Sequence, residues 1–287
     1  MAYFGCQFVF DDIPSWEYGL VIYDLGGANE DGDFTTPAEI VEDRVNNRYT
    51  PLHYGVKRNE PLKFQLHFGV DPRAVDKREW LDRWEIDAIS SWLTEHNDYK
   101  YLEIFQQDLD TIRYKCIITD LTYSSYGKYP WAFTCEVTCD SPYAYLYPES
   151  HIISLTSTSG ATSAGKIERI RCLASPKYYR PKLKITTSNV QSISIINNSD
   201  GGRELSLTNL PGGSMTLSID NENEILSKLD NNGAIDTSLN LYDKFNMKYF
   251  RFVRGINEIY LSATRKNSTV FSVTAEFLCE FPINVGG

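Results

Sequence analysis

The sequence predicts a mainly β protein of two domains with a single amphipathic helix. Three observations point there: most segments alternate apolar and polar residues, turn-forming residues separate short runs, and one stretch alone shows helical spacing. The two-domain expectation comes from the 287 residues, about twice a usual domain of roughly 100 to 150. An aromatic content of 19 Tyr, 14 Phe and 5 Trp agrees with strands and large contact surfaces.

In "KFQLHFGV", Phe64, Leu66 and Phe68 share one side and Lys63, Gln65 and His67 the other, the pattern of a half-buried strand. The helix is expected within "EWLDRWEIDAISSWLTEHN". There Leu81, Trp84, Ala88, Ile89 and Trp92 recur at spacings of three and four, forming one stripe opposite Asp82, Glu85 and Ser90. Asp76, with Glu79 three residues later, resembles a capping box. Next, "IRYKCIITDLTY" and "WAFTCEVTCD" flank "SSYGKYP", whose Gly127 and Pro130 suit a turn, so a hairpin is predicted.

Cys135 and Cys139 need a separate argument, because two cysteines four residues apart also suit a metal or redox site. Phe133, Cys135, Val137 and Cys139 alternate with Thr134, Glu136 and Thr138, which is strand periodicity. At ~3.3 Å per residue the two thiols stand ~13 Å apart along one face, beyond the ~7 Å limit for a disulfide and too far to share a metal ion. Both are therefore assigned to the core, and Asp140-Ser141-Pro142 ends the strand.

"SLTSTSGATSAGK" is small and polar without apolar periodicity. The expected organisation is a first domain over 1–153, a linker over 154–166 and a second domain over 167–287. Beyond the linker the pattern is entirely β. Asp200-Gly201-Gly202 and Pro211-Gly212-Gly213 punctuate alternating runs, and in "VFSVTAEFLCEF" Phe271, Val273, Ala275, Phe277, Cys279 and Phe281 face one way, as in a sandwich.

A net charge of -10 argues against binding phosphate backbones or anionic lipid. The N-terminus lacks a basic opening and an apolar core of useful length, and no apolar run approaches the ~18 residues of a membrane span. Folding in a cytoplasm with reduced, buried thiols is the expectation for the six cysteines. His53, His67, His96 and His151 are scattered, and no nucleophile elbow, Walker loop or dinucleotide fingerprint occurs. Asp220, Glu222 and Glu224 read as a solvated turn rather than a Ca2+ site, and "LDNNGAID" as a turn. No catalytic residue, cofactor site or metal site is assigned. The tyrosine-rich stretches "YSSYGKYPW" and "SPYAYLYP" fit a subunit or inter-domain interface better than a sugar-stacking platform.

The order of segments resembles the distal tail protein (Dit) family of long-tailed, non-contractile bacteriophages. The likeness runs through "SWEYGLVIYDL", "YTPLHYGVKRNEPLKFQLHFGV", "ISSWL", "YKCIITDLTY" and "WAFTCEVTCDSPYAYLYP", covering about residues 1–150. In the second half, "ISIINNSDGGRELSL", "MTLSIDNENEIL" and "FRFVRGINEIYLSA" look like that family's C-terminal galectin-like β-sandwich. The resemblance implies a structural, non-enzymatic virion protein of the tail tip, assembled in the host bacterial cytoplasm. Its N-terminal, sandwich-like domains would form a hexameric ring, a homo-oligomer joining the tail tube protein to the tip or baseplate and receptor-binding proteins. DNA would pass through the centre without adhering, and nothing would insert into a membrane. Neither half holds an insertion long enough for an extra carbohydrate-binding module. The rival function is a carbohydrate-binding β-sandwich module for attachment to the host surface.

Overall fold

A computed structural model describes residues 6–23, 39–58, 60–73, 80–105, 111–157, 161–266 and 270–284. The chain divides into two compact units, Met1–Tyr147 with Ile283–Gly287, and Pro148–Pro282.

The first unit contains strands β1 (Phe8–Phe10), β2 (Ile13–Pro14), β3 (Leu20–Ile22), β4 (Glu39–Asp43), β5 (Leu52–Lys57), β6 (Lys63–Val70), β7 (Lys100–Ile104), β8 (Ile112–Tyr126), β9 (Tyr129–Cys139) and β10 (Ala144–Leu146), with helix α1 (Arg83–Thr94) between β6 and β7. Hydrogen bonding joins seven strands in the order β2-β1-β7-β8-β9-β6-β3, with β10 also paired to β8. Among the described residues β4 and β5 pair only with each other. The predicted hairpin is β8–β9, closing through Tyr126 opposite Tyr129 with Gly127 at φ 66°. That left-handed value suits glycine because it has no Cβ to clash.

Helix α1 starts at a capping box six residues after the expected one. The Asp82 carboxylate accepts from the Trp84 and Glu85 amides, and the Glu85 carboxylate accepts from the Asp82 amide. Asp76 and Glu79 lie outside the described residues. The buried face also differs from the expected stripe: Ile89, Trp92 and Leu93 are buried, whereas Ala88 is exposed and Trp84 is 80% exposed. At ~100° per residue, Trp84 lies about 140° around the helix from Ile89. Leu81 is buried but precedes the helix, so its spacing to Trp84 carried no helical information.

Trp92 anchors the helix to the sheet. Its ring stacks on Tyr18 (centroids 4.7 Å apart) and Phe8 (5.7 Å), and its Nε1–H donates to the Phe10 carbonyl at 3.0 Å. Phe68, Phe133, Leu102, Cys135 and Val137 continue the same core. Cys135 and Cys139 are both core residues, as the alternation predicts.

The second unit is a sandwich of a six-stranded and a four-stranded sheet. β11 (Glu149–Thr156), β22 (Ser272–Cys279), β14 (Lys182–Ser188), β17 (Ser214–Asp220), β18 (Ile225–Leu229) and β19 (Ile235–Asp236) lie side by side in that order. The other sheet runs β12 (Ser163–Cys172), β21 (Gly255–Arg265), β15 (Val190–Asn197), β16 (Arg203–Leu207), and β13 (Tyr178–Tyr179) pairs with β20 (Phe252–Val253) apart from both. Phe271, Val273, Ala275, Phe277, Cys279 and Phe281 are all buried, as predicted.

The expected linker falls differently. Ser154, Leu155 and Thr156 belong to β11 and Ser163–Lys166 to β12, so both ends of "SLTSTSGATSAGK" are strand and the chain enters the second unit after Tyr147. Leu155 faces the core while Ser154 and Thr156 are exposed, so the outward polar residues of a strand imitate loop composition. Buried Asn197, Asn221 and Asn257 satisfy the irregular backbone of this unit. The Val253 amide donates to Asn257 Oδ1 at 2.8 Å, and Asn257 Nδ2 donates to the Val253 carbonyl at 2.7 Å.

Candidate interaction surfaces

None of the groups that would mark an enzyme converges in the described residues. His67 bonds Thr134, His96 meets the Trp92 carbonyl and His151 pairs with Glu149, each at a separate place. Among the described residues no three His, Cys, Asp or Glu side chains form a metal-binding group. Asp220 accepts from the Glu222 and Asn223 amides and so closes a turn, as expected of a solvated loop. Asp230 does the same for Asn232 and Ala234 in "LDNNGAID", with Gly233 at φ 83°. Burial drives the thiols of Cys116, Cys135, Cys139 and Cys279 well above the usual range, which makes each a poor nucleophile.

Two surfaces remain. The first is the β4–β5 ribbon, in which no described residue is buried. Ile40 stands opposite Val56, and both are more than half exposed, as is Tyr54 two residues along β5 from Val56. A two-stranded ribbon carrying no core is marginal in water. Sequence reading missed it because alternation in "LHYGV" signals a strand without stating whether anything covers it.

The outward face of β7 and β8, by contrast, is already stitched. The Arg113 guanidinium packs 3.9 Å from the Tyr101 ring centroid, and the Tyr147 hydroxyl donates to Glu103 at 2.6 Å. Of the tyrosine-rich stretches, "YSSYGKYPW" forms the tip of β8–β9 with Tyr123 and Tyr129 exposed. In "SPYAYLYP" the Tyr145 hydroxyl turns back onto Asp140.

The second surface is a trough of about 530 Å³ on the outer face of the four-stranded sheet, lined by Ser163, Ser194, Ser206, Ser262, Glu204 and Tyr260. Its floor exists because β12 carries Gly165 there. A Cβ at that position would come within 2.8 Å of the Tyr260 ring, so the ring lies flat against the neighbouring strand. Ser194 donates to Glu204 Oε1 at 2.6 Å and fixes that carboxylate at the edge.

Comparison with known proteins decides what such a chain is. Residues 4–141 match a family described as the phage tail protein N-terminal domain, and residues 140–276 match the phage tail C-terminal domain. The chain belongs to the phage tail proteins. The Dit protein of phage SPP1, whose crystal structure is described as a paradigm of the hub adsorption apparatus in phages infecting Gram-positive bacteria, aligns at a TM-score of 0.61 with 12% identity. That alignment covers 96% of this chain and 99% of the SPP1 chain. The phage tail protein thus has the two-part, β-rich fold of a distal tail protein. A chain of the phage P2 baseplate in its activated conformation with calcium aligns at a TM-score of 0.42 and 9% identity, over 92% and 99% of the two chains. No curated protein matches the sequence. As a tail protein of this fold it is structural rather than enzymatic.

Proposed function

We propose that this phage tail protein is the distal hub of its tail. Copies close into a ring through their first units, joining the tail tube to the tip or baseplate with its receptor-binding proteins. The observation that carries the reading is the β4–β5 ribbon: Ile40 and Val56 face each other, Tyr54 stands at the bulge beside them, and all three are more than half exposed among the described residues. A neighbouring copy supplies the cover, meeting the ribbon with a different patch, so the contact is heterologous and closes by rotation. Six copies is the number that the distal tail resemblance implies, and assembly in the host cytoplasm belongs to the same reading. The net charge of -10 suits a central passage that DNA crosses without adhering.

Light scattering on the purified chain, alone and mixed with its tail tube protein, tests this together with imaging of intact tails. The expected result is a ring that the double substitution Tyr54→Ser/Val56→Ser disperses while circular dichroism stays unchanged. Rings formed equally well by the double variant would remove the ribbon from the interface. Tails without a ring of this protein would remove the hub reading itself.

The Tyr260 trough favours a second reading, in which the second unit grips a sugar of the host surface: a half-buried aromatic ring lining the trough beside a fixed carboxylate suits a pyranose ring. Glycan titration of the full chain and of Tyr260→Ala tests it, and identical flat responses from both would end it.

A further inference from the structure

Cys116 on β8 and Cys139 on β9 are direct partners in the strand register. The hydrogen bonds beside them fix what kind of pair they make. The Asp140 amide donates to the Lys115 carbonyl at 2.9 Å, so 115 and 140 form a hydrogen-bonded pair and the adjacent 116 and 139 do not. Consistently, the Cys139 amide points away from β8 and donates to the Leu62 carbonyl at 2.9 Å. A non-hydrogen-bonded antiparallel pair holds its Cα atoms about 4.5 Å apart, at the short end of the roughly 4.4 to 6.8 Å that a disulfide spans. Both side chains point into the same core, at 0% and 1% exposure, and the register is unbroken from 116 to 118. Cys135, by contrast, stands opposite Leu121 on β8 and Leu66 on β6.

We propose that Cys116 and Cys139 are an oxidisable dithiol that closes to a cross-strand disulfide without displacing either strand. The unit folds with both thiols reduced, and burial together with the neighbouring Cys139 and Cys135 keeps the Cys116 thiol protonated and slow to react. Hydrogen peroxide, which is near water in size, is the oxidant. The small fraction of one cysteine that is thiolate attacks the peroxide O–O bond, so the reaction is slow, and it forms a sulfenic acid and releases hydroxide. The second thiolate then attacks the sulfenic sulfur and displaces a second hydroxide. Two thiol protons convert both hydroxides to water, and the sulfurs supply the two electrons that reduce the peroxide. For a tail protein, the change from a reducing cytoplasm to an oxidising medium provides the occasion. The bond then pins the centre of the β8–β9 hairpin.

Hydrogen peroxide treatment of the folded, full-length chain, followed by alkylation and peptide mapping, reads the outcome without any substitution. Expected is one linked peptide pair joining Cys116 to Cys139 and a loss of two hydrogens in mass, reversed by dithiothreitol, with Cys135 still alkylated after unfolding. The chain carrying Cys135→Ala should form the same link. Recovery of Cys116 and Cys139 as free thiols, as separate sulfinic acids, or bridged to other cysteines would overturn the proposal.

Discussion

Trp92→Ala should unfold the first unit selectively. The indole loses its stacking on Tyr18 and Phe8 and its hydrogen bond to the Phe10 carbonyl, and the hole opens between helix and sheet. Truncating a buried tryptophan costs about 3 to 5 kcal/mol. Trp92→Phe separates the contributions, because it keeps a stacking ring and forfeits the hydrogen bond and part of the area, for about 1 to 2 kcal/mol. All five tryptophans, Trp16, Trp80, Trp84, Trp92 and Trp131, lie in the first unit, so indole fluorescence during urea unfolding reports that unit alone. With a slope of about 1 to 3 kcal/mol per molar urea, Trp92→Ala should lower the midpoint by about 1 M or more at unchanged slope. Equal losses from both variants would mean that the hydrogen bond, not packing, fixes the helix. A negligible shift would refute the anchoring role altogether.

Other perturbations give distinct readings. Gly69→Ala places a Cβ 2.6 Å from both the Trp131 carbonyl oxygen and the Tyr23 ring, so it should cost about 1 to 3 kcal/mol in the same fluorescence assay. Asn257→Ala strips the Val253 amide and carbonyl of their partner in the second unit; calorimetry should show that unit's transition weakened by about 2 to 4 kcal/mol with the fluorescence transition unmoved. Lys228, at 2.6 Å, and then Ser238 depress the Asp236 carboxyl below its ordinary range. Its stabilising contribution is therefore present above an unfolded pKa of about 3.9 and is lost as the pH falls below that toward the folded value. Asp236→Asn should accordingly flatten the acid limb of the second unit's melting profile and leave the neutral limb parallel to wild type.

Period-two alternation carried most of the fold because a strand with one buried face writes its burial directly into the sequence. Phe271 to Phe281 and Phe133 to Cys139 are examples in which every second residue is buried. Alternation says nothing of what lies across from a strand. Cys135 and Cys139 were correctly kept apart along β9, yet Cys116 stands opposite Cys139 through a register that the turn at Gly127 and two intervening bulges set jointly. The helix was located but its face was rotated, since Leu81 lies before Arg83 and contributed a spurious period. Ser154 and Thr156 looked like linker because outward strand positions need no apolar residue. The candidate interface was the least legible part: Ile40, Tyr54 and Val56 have the composition of a covered strand, and only the packing shows them exposed among the described residues.

That bareness has a thermodynamic consequence which separates the two units. A partner that binds only the folded form stabilises it by mass action, so a unit whose ribbon is covered by a neighbouring copy gains stability with protein concentration. Each tenfold rise contributes up to about 1.4 kcal/mol once the concentration exceeds the dissociation constant. The second unit closes its own sandwich over Phe277, Leu217 and Ile195 and plugs its irregular backbone with Asn197, Asn221 and Asn257, and a ring closed through the first units leaves its stability independent of concentration. Melting followed by tryptophan fluorescence should therefore move upward across a hundredfold dilution series, while the second unit's calorimetric transition stays fixed. Tyr54→Ser/Val56→Ser should abolish the movement and leave both units folded. If rings are present and neither transition responds to concentration, the neighbouring copy is not held through the first unit, and the ribbon's apolar face serves some contact other than ring closure.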